Sequence, residues 1–241
     1  MPKKSIYALL IAVNDYPNVR PLSGCLNDMH AFWDYLSRQC NGDEFTFKPK
    51  VLENDAATRD AVIAGFQHFT AATEGDVCVL YFSGHGSRID APDFWEAQDG
   101  KIEAIVCYDA CLADKELSCL IYETLKDHKE SVHFLAVMDC CHSGSNTRAD
   151  DGVQIRLSQP NRFPKAIQEY YSYEKGFYLP DGKEKYSAPK GRHVSFGACR
   201  NTQTAKETII GAEFRGAFTS SLIEALDTSN PIFYLLTHPL F

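Results

Sequence analysis

Two short motifs bring together residue types that can do nucleophilic chemistry: Ser83-Gly84-His85-Gly86 and Asp139-Cys140-Cys141-His142-Ser143-Gly144. A thiol with an ordinary pKa of about 8.5 is only slightly ionised at neutral pH, and the thiolate is the nucleophile. A neighbouring imidazole raises the thiolate fraction and can later protonate a leaving amine. His85 and Cys141 are the candidate pair. Gly84 and Gly86 let the backbone pass close to a substrate without side-chain obstruction. The N–H groups of Gly86 and Cys141 are candidates for an oxyanion hole. A turn has no need of a histidine between two glycines. Metal binding by Cys140-Cys141-His142 is disfavoured, because adjacent ligands do not match zinc spacing.

Both motifs follow runs that read as buried strands. Asp76–Phe82 and Val132–Met138 are apolar, short and rich in β-branched and aromatic residues, and each stops abruptly at its motif. Tyr7–Val13 is a further strand of this kind, and Lys48–Leu52 is expected to be another. Helices are expected from Asn27, with Met29, Phe32, Trp33 and Leu36 on one face, and from about Thr58, a suitable cap, with Val62, Phe66 and Phe69 inward. The acidic stretch Asp90–Asp109 reads as a solvated loop, followed by a helix over Lys115–Asp127. A strand over Val194–Cys199 and a helix from about Gly216 to Leu226 complete the pattern. Strands alternating with helices predict an α/β three-layer sandwich, a central mostly parallel sheet with helices on both faces. In such sheets the reactive groups sit beyond the carboxyl ends of the strands. If the strands before the two motifs are neighbours, His85 and Cys141 come within hydrogen-bonding range.

The two motifs resemble the signatures of metacaspases, the caspase-like cysteine peptidases. His85 precedes Cys141 by roughly the 50 residues typical of caspases. Leu22-Ser23-Gly24-Cys25-Leu26-Asn27-Asp28 resembles the family's early motif, while Ser195-Phe196-Gly197-Ala198-Cys199 and Gly216-Ala217-Phe218-Thr219 resemble segments of its small-subunit half. The resemblance implies one caspase-like domain over 5–241. It comprises a large-subunit-like part (5–145), a long loop or insertion (146–193) and a small-subunit-like part (194–241) that stops sooner than is usual. It makes Cys141, not Cys140, the nucleophile of a cysteine-type endopeptidase. It also makes Asp28 and Asp139, with Ser83, the substrate-binding residues for the position before the cut. Two carboxylates there favour a cationic side chain, and arginine forms the better bidentate partner. The expected substrates are therefore proteins or peptides cut after Arg or Lys. A monomer is implied, and a catalytically silent caspase-like module acting through protein–protein interaction is the alternative.

Many metacaspases are activated by calcium through a cluster of aspartates. Asp99 and Asp114 are the calcium candidates here, but Lys115 and Arg148 stand where acids are usual. Calcium takes six to eight oxygen ligands, and the chemistry itself requires no cofactor. Bulk composition excludes other classes. The 44% hydrophobic and 23% charged residues are ordinary for a globular protein. A net charge of −8 argues against a nucleic-acid partner. No apolar run approaches the roughly 20 residues of a membrane span, and the first residues read as a strand, not a signal, so a cytoplasmic location is the default. Nine cysteines, odd in number and irregular in spacing, do not form a disulfide framework.

The stretch 146–193 carries Arg148, Arg156, Arg162, Lys165, Lys175, Lys183, Lys185 and Lys190, so a peptidase of basic specificity is expected to cut itself there. Purified protein should fragment within this stretch while its Cys141→Ala variant stays intact. Equal fragmentation of the two would refute self-processing.

Overall fold

An apolar run that is uninterrupted over several residues has no face to give to water, so it is stable only in a sheet covered on both sides. The computed structural model describes residues 3–42, 44–90, 100–125, 132–140, 154–155, 193–198, 206–210 and 212–228. In it, β1 (Lys4–Ala12), β2 (Phe45–Glu53), β3 (Val77–Ser83), β7 (His133–Asp139) and β9 (Val194–Gly197) form one sheet in the order β2-β1-β3-β7-β9. Every pairing in it is parallel. All of β3 is buried, as is β1 beyond its first residue. At the β2 edge the sequence Lys48-Pro49-Lys50 occupies the middle of the strand.

The alternation of side chains along a strand assigns the two faces. On one, Tyr81 stacks on Phe32 of helix α1 (Cys25–Gln39) with ring centroids 4.7 Å apart. The Tyr81 hydroxyl is 2.8 Å from Oγ1 of Thr219, in helix α4 (Ala217–Thr228). Phe134 lies in register with Cys78 and therefore points the other way. It packs on Phe69, centroid to centroid 5.2 Å, in the 3-10 turn Phe66–Ala71 that continues helix α2 (Arg59–Gly65). The layers are thus α1 and α4 on one side, and α2 with its 3-10 extension on the other. Thr58 caps α2 by accepting the N–H of Ala61, as its position predicts.

Two small sheets escape the sequence reading. β4 (Gly86–Asp90), β5 (Lys101–Val106) and β6 (Cys111–Ala113) are antiparallel, so Asp90–Asp109 is not a solvated loop throughout. Ile102, Ala104, Ile105, Val106 and Cys107 are buried. The reason is local: Lys101 and Glu103 alternate with Ile102 and Ala104, which gives a one-sided strand too short to stand out from its charges. β10 (Lys206–Ile210) and β11 (Glu213–Gly216) form a hairpin that also pairs with β8 (Gln154–Ile155). Apart from β8, the expected loop 146–193 lies outside the described residues until His193, as does the tail beyond Thr228. None of the seven described cysteines is in a disulfide, and all are buried. No described helix is long and apolar enough to cross a membrane.

Helix α3 (Asp114–Leu125) begins on a buried ion pair. Arg59 Nη2 donates to Glu116 Oε1 at 2.7 Å, with the two side chains only 6% and 5% exposed. Glu116 Oε2 accepts the N–H of Ala113. Burial pushes the Glu116 carboxyl above its usual range, and Arg59 and these hydrogen bonds pull it back. Removing only the cation leaves an uncompensated buried acid, which costs about 3–5 kcal/mol. Arg59→Met is therefore expected to lower unfolding stability by that amount in urea titrations. The double variant Arg59→Met/Glu116→Leu should recover most of the loss.

Candidate active site

Parallel pairing carries β3 and β7 to the same level: Val77 is opposite His133, and six residues later Ser83 is opposite Asp139. The alignment persists one step beyond, where the Gly84 N–H donates to the Asp139 carbonyl at 3.4 Å. His85 then stands two residues past the end of β3. Cys141 stands two residues past the end of β7 and lies outside the described residues, with His142 and Asp99.

His85 is 1% exposed. Its Nε2 is 2.7 Å from the carbonyl oxygen of Arg20. A carbonyl only accepts, so Nε2 carries the hydrogen and, in the neutral ring, Nδ1 is the basic nitrogen. The His85 backbone N–H donates to the Tyr16 hydroxyl at 2.9 Å, and the His85 carbonyl accepts from Val106 N–H at 2.9 Å. Gly84 is required by space: a Cβ there would lie 2.6 Å from Tyr16 Oη and 2.7 Å from Phe82 Cζ. Gly86 opens β4 opposite Ile105 and is buried.

The two candidate pocket acids meet the same segment, the junction of β11 and α4. Asp28, 1% exposed in the first turn of α1, accepts the Gly216 N–H on both carboxylate oxygens at 2.9 and 2.8 Å. Asp139 is fully buried, and its Oδ2 accepts from Thr219 N–H at 3.2 Å and Thr219 Oγ1 at 2.6 Å. A carboxylate at the first turn of α4 also opposes the positive end of that helix. Ser83 is buried at the end of β3, where its carbonyl accepts from Val13 N–H. A third buried acid, Glu207 on β10, carries no motif that marks it in the sequence. It accepts the N–H groups of Ser23 at 3.2 Å and Gly24 at 2.8 Å. Gly24 is the N-cap of α1 and offers no side chain to cap with, so Glu207 caps that helix from across the chain.

Asp114 is exposed and borders a cavity of about 170 Å³ with Glu103, Leu117 and His193. His85, Asp28 and Asp139 do not line that cavity. Among the described residues no group of three or more His, Cys, Asp or Glu side chains is disposed to hold a metal ion. Asp114 thus stands in no such group, and Asp99, the other calcium candidate, lies outside the described residues.

A family model described as Caspase domain matches residues 5–238. The chain belongs to the caspase domain family. It is similar to Metacaspase-2 of Trypanosoma brucei brucei, 29% identical over 60% of this chain and 43% of that one. It is similar also to Metacaspase III c of Phaeodactylum tricornutum, at 30% over 57% of this chain and 42% of the relative. Metacaspase-1B of Aspergillus terreus is 24% identical over 91% of this chain and 66% of its own length. The chain thus spans about two fifths of the first two relatives. A Geobacter sulfurreducens protein of known crystal structure superposes with a TM-score of 0.64 at 24% identity, covering 93% of this chain and 82% of that one. That likeness shows the fold. The caspase domain assignment agrees with the central parallel sheet.

Nothing in the residue types of Tyr16, Arg20 and Thr219 marks them in the sequence as site residues. Tyr16 reads as part of the turn Asn14-Asp15-Tyr16-Pro17, Arg20 acts through its carbonyl alone, and Thr219 sits in a motif noted only for its order. Thr219 bridges Asp139 and Tyr81 inside the core. Thr219→Val keeps the shape and removes the hydroxyl, which leaves a buried carboxylate short of one donor. A loss of about 1–3 kcal/mol is expected, read as a lower urea midpoint with unchanged slope.

Proposed function

We propose that this chain is a cysteine endopeptidase that hydrolyses peptide bonds after Arg or Lys through Cys141 and His85. The observation that carries the reading is the hydrogen bond from His85 Nε2 to the Arg20 carbonyl. It leaves Nδ1 as the basic nitrogen at the end of β3, beside the strand that leads into Cys141. The level ends of β3 and β7 support the pairing.

In this reading Nδ1 of His85 takes the Cys141 proton and the thiolate attacks the carbonyl carbon of the scissile bond. The N–H groups of Gly86 and Cys141 receive the developing oxyanion. As the C–N bond breaks, His85 returns the proton to the leaving amine, which departs and leaves a thioester. Water, deprotonated by His85, attacks the thioester; the carboxylic acid leaves and the thiol is restored. Asp28, Asp139 and Ser83 face the basic side chain before the cut. Asp28 and Asp139 both contact residues of the β11–α4 junction, which supports their acting on one pocket. Thiolate and imidazole supply both nucleophile and proton carrier, so the reaction requires no metal. The protein acts as a cytoplasmic monomer.

Fluorogenic peptides that differ only in the residue before the cut test the proposal. Arg should be turned over fastest, Lys next and Asp not at all, with EDTA without effect. Cys141→Ala should fall to background, and His85→Ala should lose roughly 10²–10⁴-fold in kcat/KM. Cleavage after Asp, or turnover surviving Cys141→Ala, would overturn it.

A further inference from the structure

One side chain touches the histidine motif at several points at once. Tyr16 is buried in the segment between β1 and α1. Its hydroxyl accepts the backbone N–H of His85 at 2.9 Å and donates to the Val106 carbonyl at 3.1 Å. Val106 also binds His85 directly, N–H to carbonyl, so the His85 backbone is tied to β5 both directly and through the phenol. The Tyr16 ring lies against the imidazole, centroids 4.9 Å apart and planes at 48°. The hydroxyl also fills the space that a Cβ of residue 84 would need.

The segment that carries Tyr16 is itself pinned. Asn54, in the left-handed region at φ 44°, accepts the N–H groups of Asn14 and Asp15 on Oδ1. Asn14 Oδ1 accepts Cys25 N–H, and the Asn14 carbonyl accepts Leu22 N–H. The same segment supplies the Arg20 carbonyl that fixes the histidine tautomer. Backbone, ring face and Nε2 of His85 are therefore all held by residues 16–20 and the strand opposite.

We propose that Tyr16 is a positioning residue for His85, whose hydroxyl and ring hold the imidazole where Nε2 meets the Arg20 carbonyl and Nδ1 remains basic. The inference rests on reading His85 as the acid–base group. Burial pushes the Tyr16 phenol well above its ordinary range, so the hydroxyl keeps the hydrogen that it gives to Val106. Without that hydroxyl, the His85 N–H and the Val106 carbonyl both lose a partner in the interior. The imidazole is then free to tilt, and a displacement of about 1 Å at a reacting group costs roughly 10²-fold in rate.

Two variants perturb the contact independently. Tyr16→Phe keeps the ring and deletes the hydroxyl, while Gly84→Ala drives a methyl group into it. Histidine-selective 15N NMR, with the His85 signals assigned by their absence in His85→Ala, should show the Nε2–H tautomer in the wild type. Both variants should show a mixture of the two tautomers. In peptide turnover, Tyr16→Phe should lose between about 10- and 100-fold in kcat, with KM within roughly twofold. A folded Tyr16→Phe protein with the wild-type tautomer would overturn the proposal. So would a variant that loses only thermal stability and keeps its kcat. The tautomer reading does not depend on turnover: a wild type without peptidase activity sinks the peptidase reading, and the NMR still decides the role of Tyr16.

Discussion

The register between β3 and β7 is the constraint on which the rest of the structure depends. Parallel strands that pair residue for residue from Val77–His133 to Ser83–Asp139 must deliver their continuations side by side. A slip of one residue would turn each buried side chain of a strand to the opposite layer. Tyr81 would leave Phe32, and Phe134 would leave Phe69. The core thus enforces the register, and the register sets the level at which the histidine motif begins. Burial in the sheet and placement of chemistry at its rim are one energetic problem.

Around that rim the molecule is fastened by carboxylates that accept backbone N–H groups. Asp28 takes Gly216, Asp139 takes Thr219, and Glu207 takes Ser23 and Gly24. All three acids are buried. A buried carboxylate is costly unless hydrogen bonds replace its water, and charge-assisted bonds to amides do this well. Each bond spans a long sequence separation, joining helix α1 or β7 to the β10–α4 segment. The arrangement is reciprocal: α1 gives an acid to the late segment and receives one from it. Asp28 therefore has a structural task, holding Gly216, whatever further role it has toward substrate.

Much of this was legible in the sequence. The strands with both faces buried announced themselves, because Val-Cys-Val-Leu-Tyr-Phe and Phe-Leu-Ala-Val-Met are uninterrupted apolar runs too short for a helix and each ends at a turn. His85 stood out because a turn between glycines has no use for an imidazole. The short antiparallel strands were hidden because Lys101–Val106 alternates charge with apolar residues over too few positions. The partners of the acids were hidden for a different reason: Gly216 and the Thr219 amide contribute an N–H that any residue but proline carries. Tyr16 was hidden by its company, since Asn-Asp-Tyr-Pro has the composition of a turn whether or not its tyrosine points inward. Residue type reveals groups that act by side-chain chemistry and says little about groups that act by backbone geometry.

The edge strand β2 has a consequence for how copies of this protein meet. Proline at 49 has no N–H to offer an approaching strand, and Lys48 and Lys50 flank it with like charges. A second chain seeking to extend the sheet there would forfeit a ladder hydrogen bond beside two positive charges, that of Lys48 held at the Tyr7 hydroxyl at 2.9 Å. Fibre-like growth needs two receptive edges, one to accept and one to pass on. Among the described strands, the β2 side of this sheet is therefore a poor acceptor for such growth.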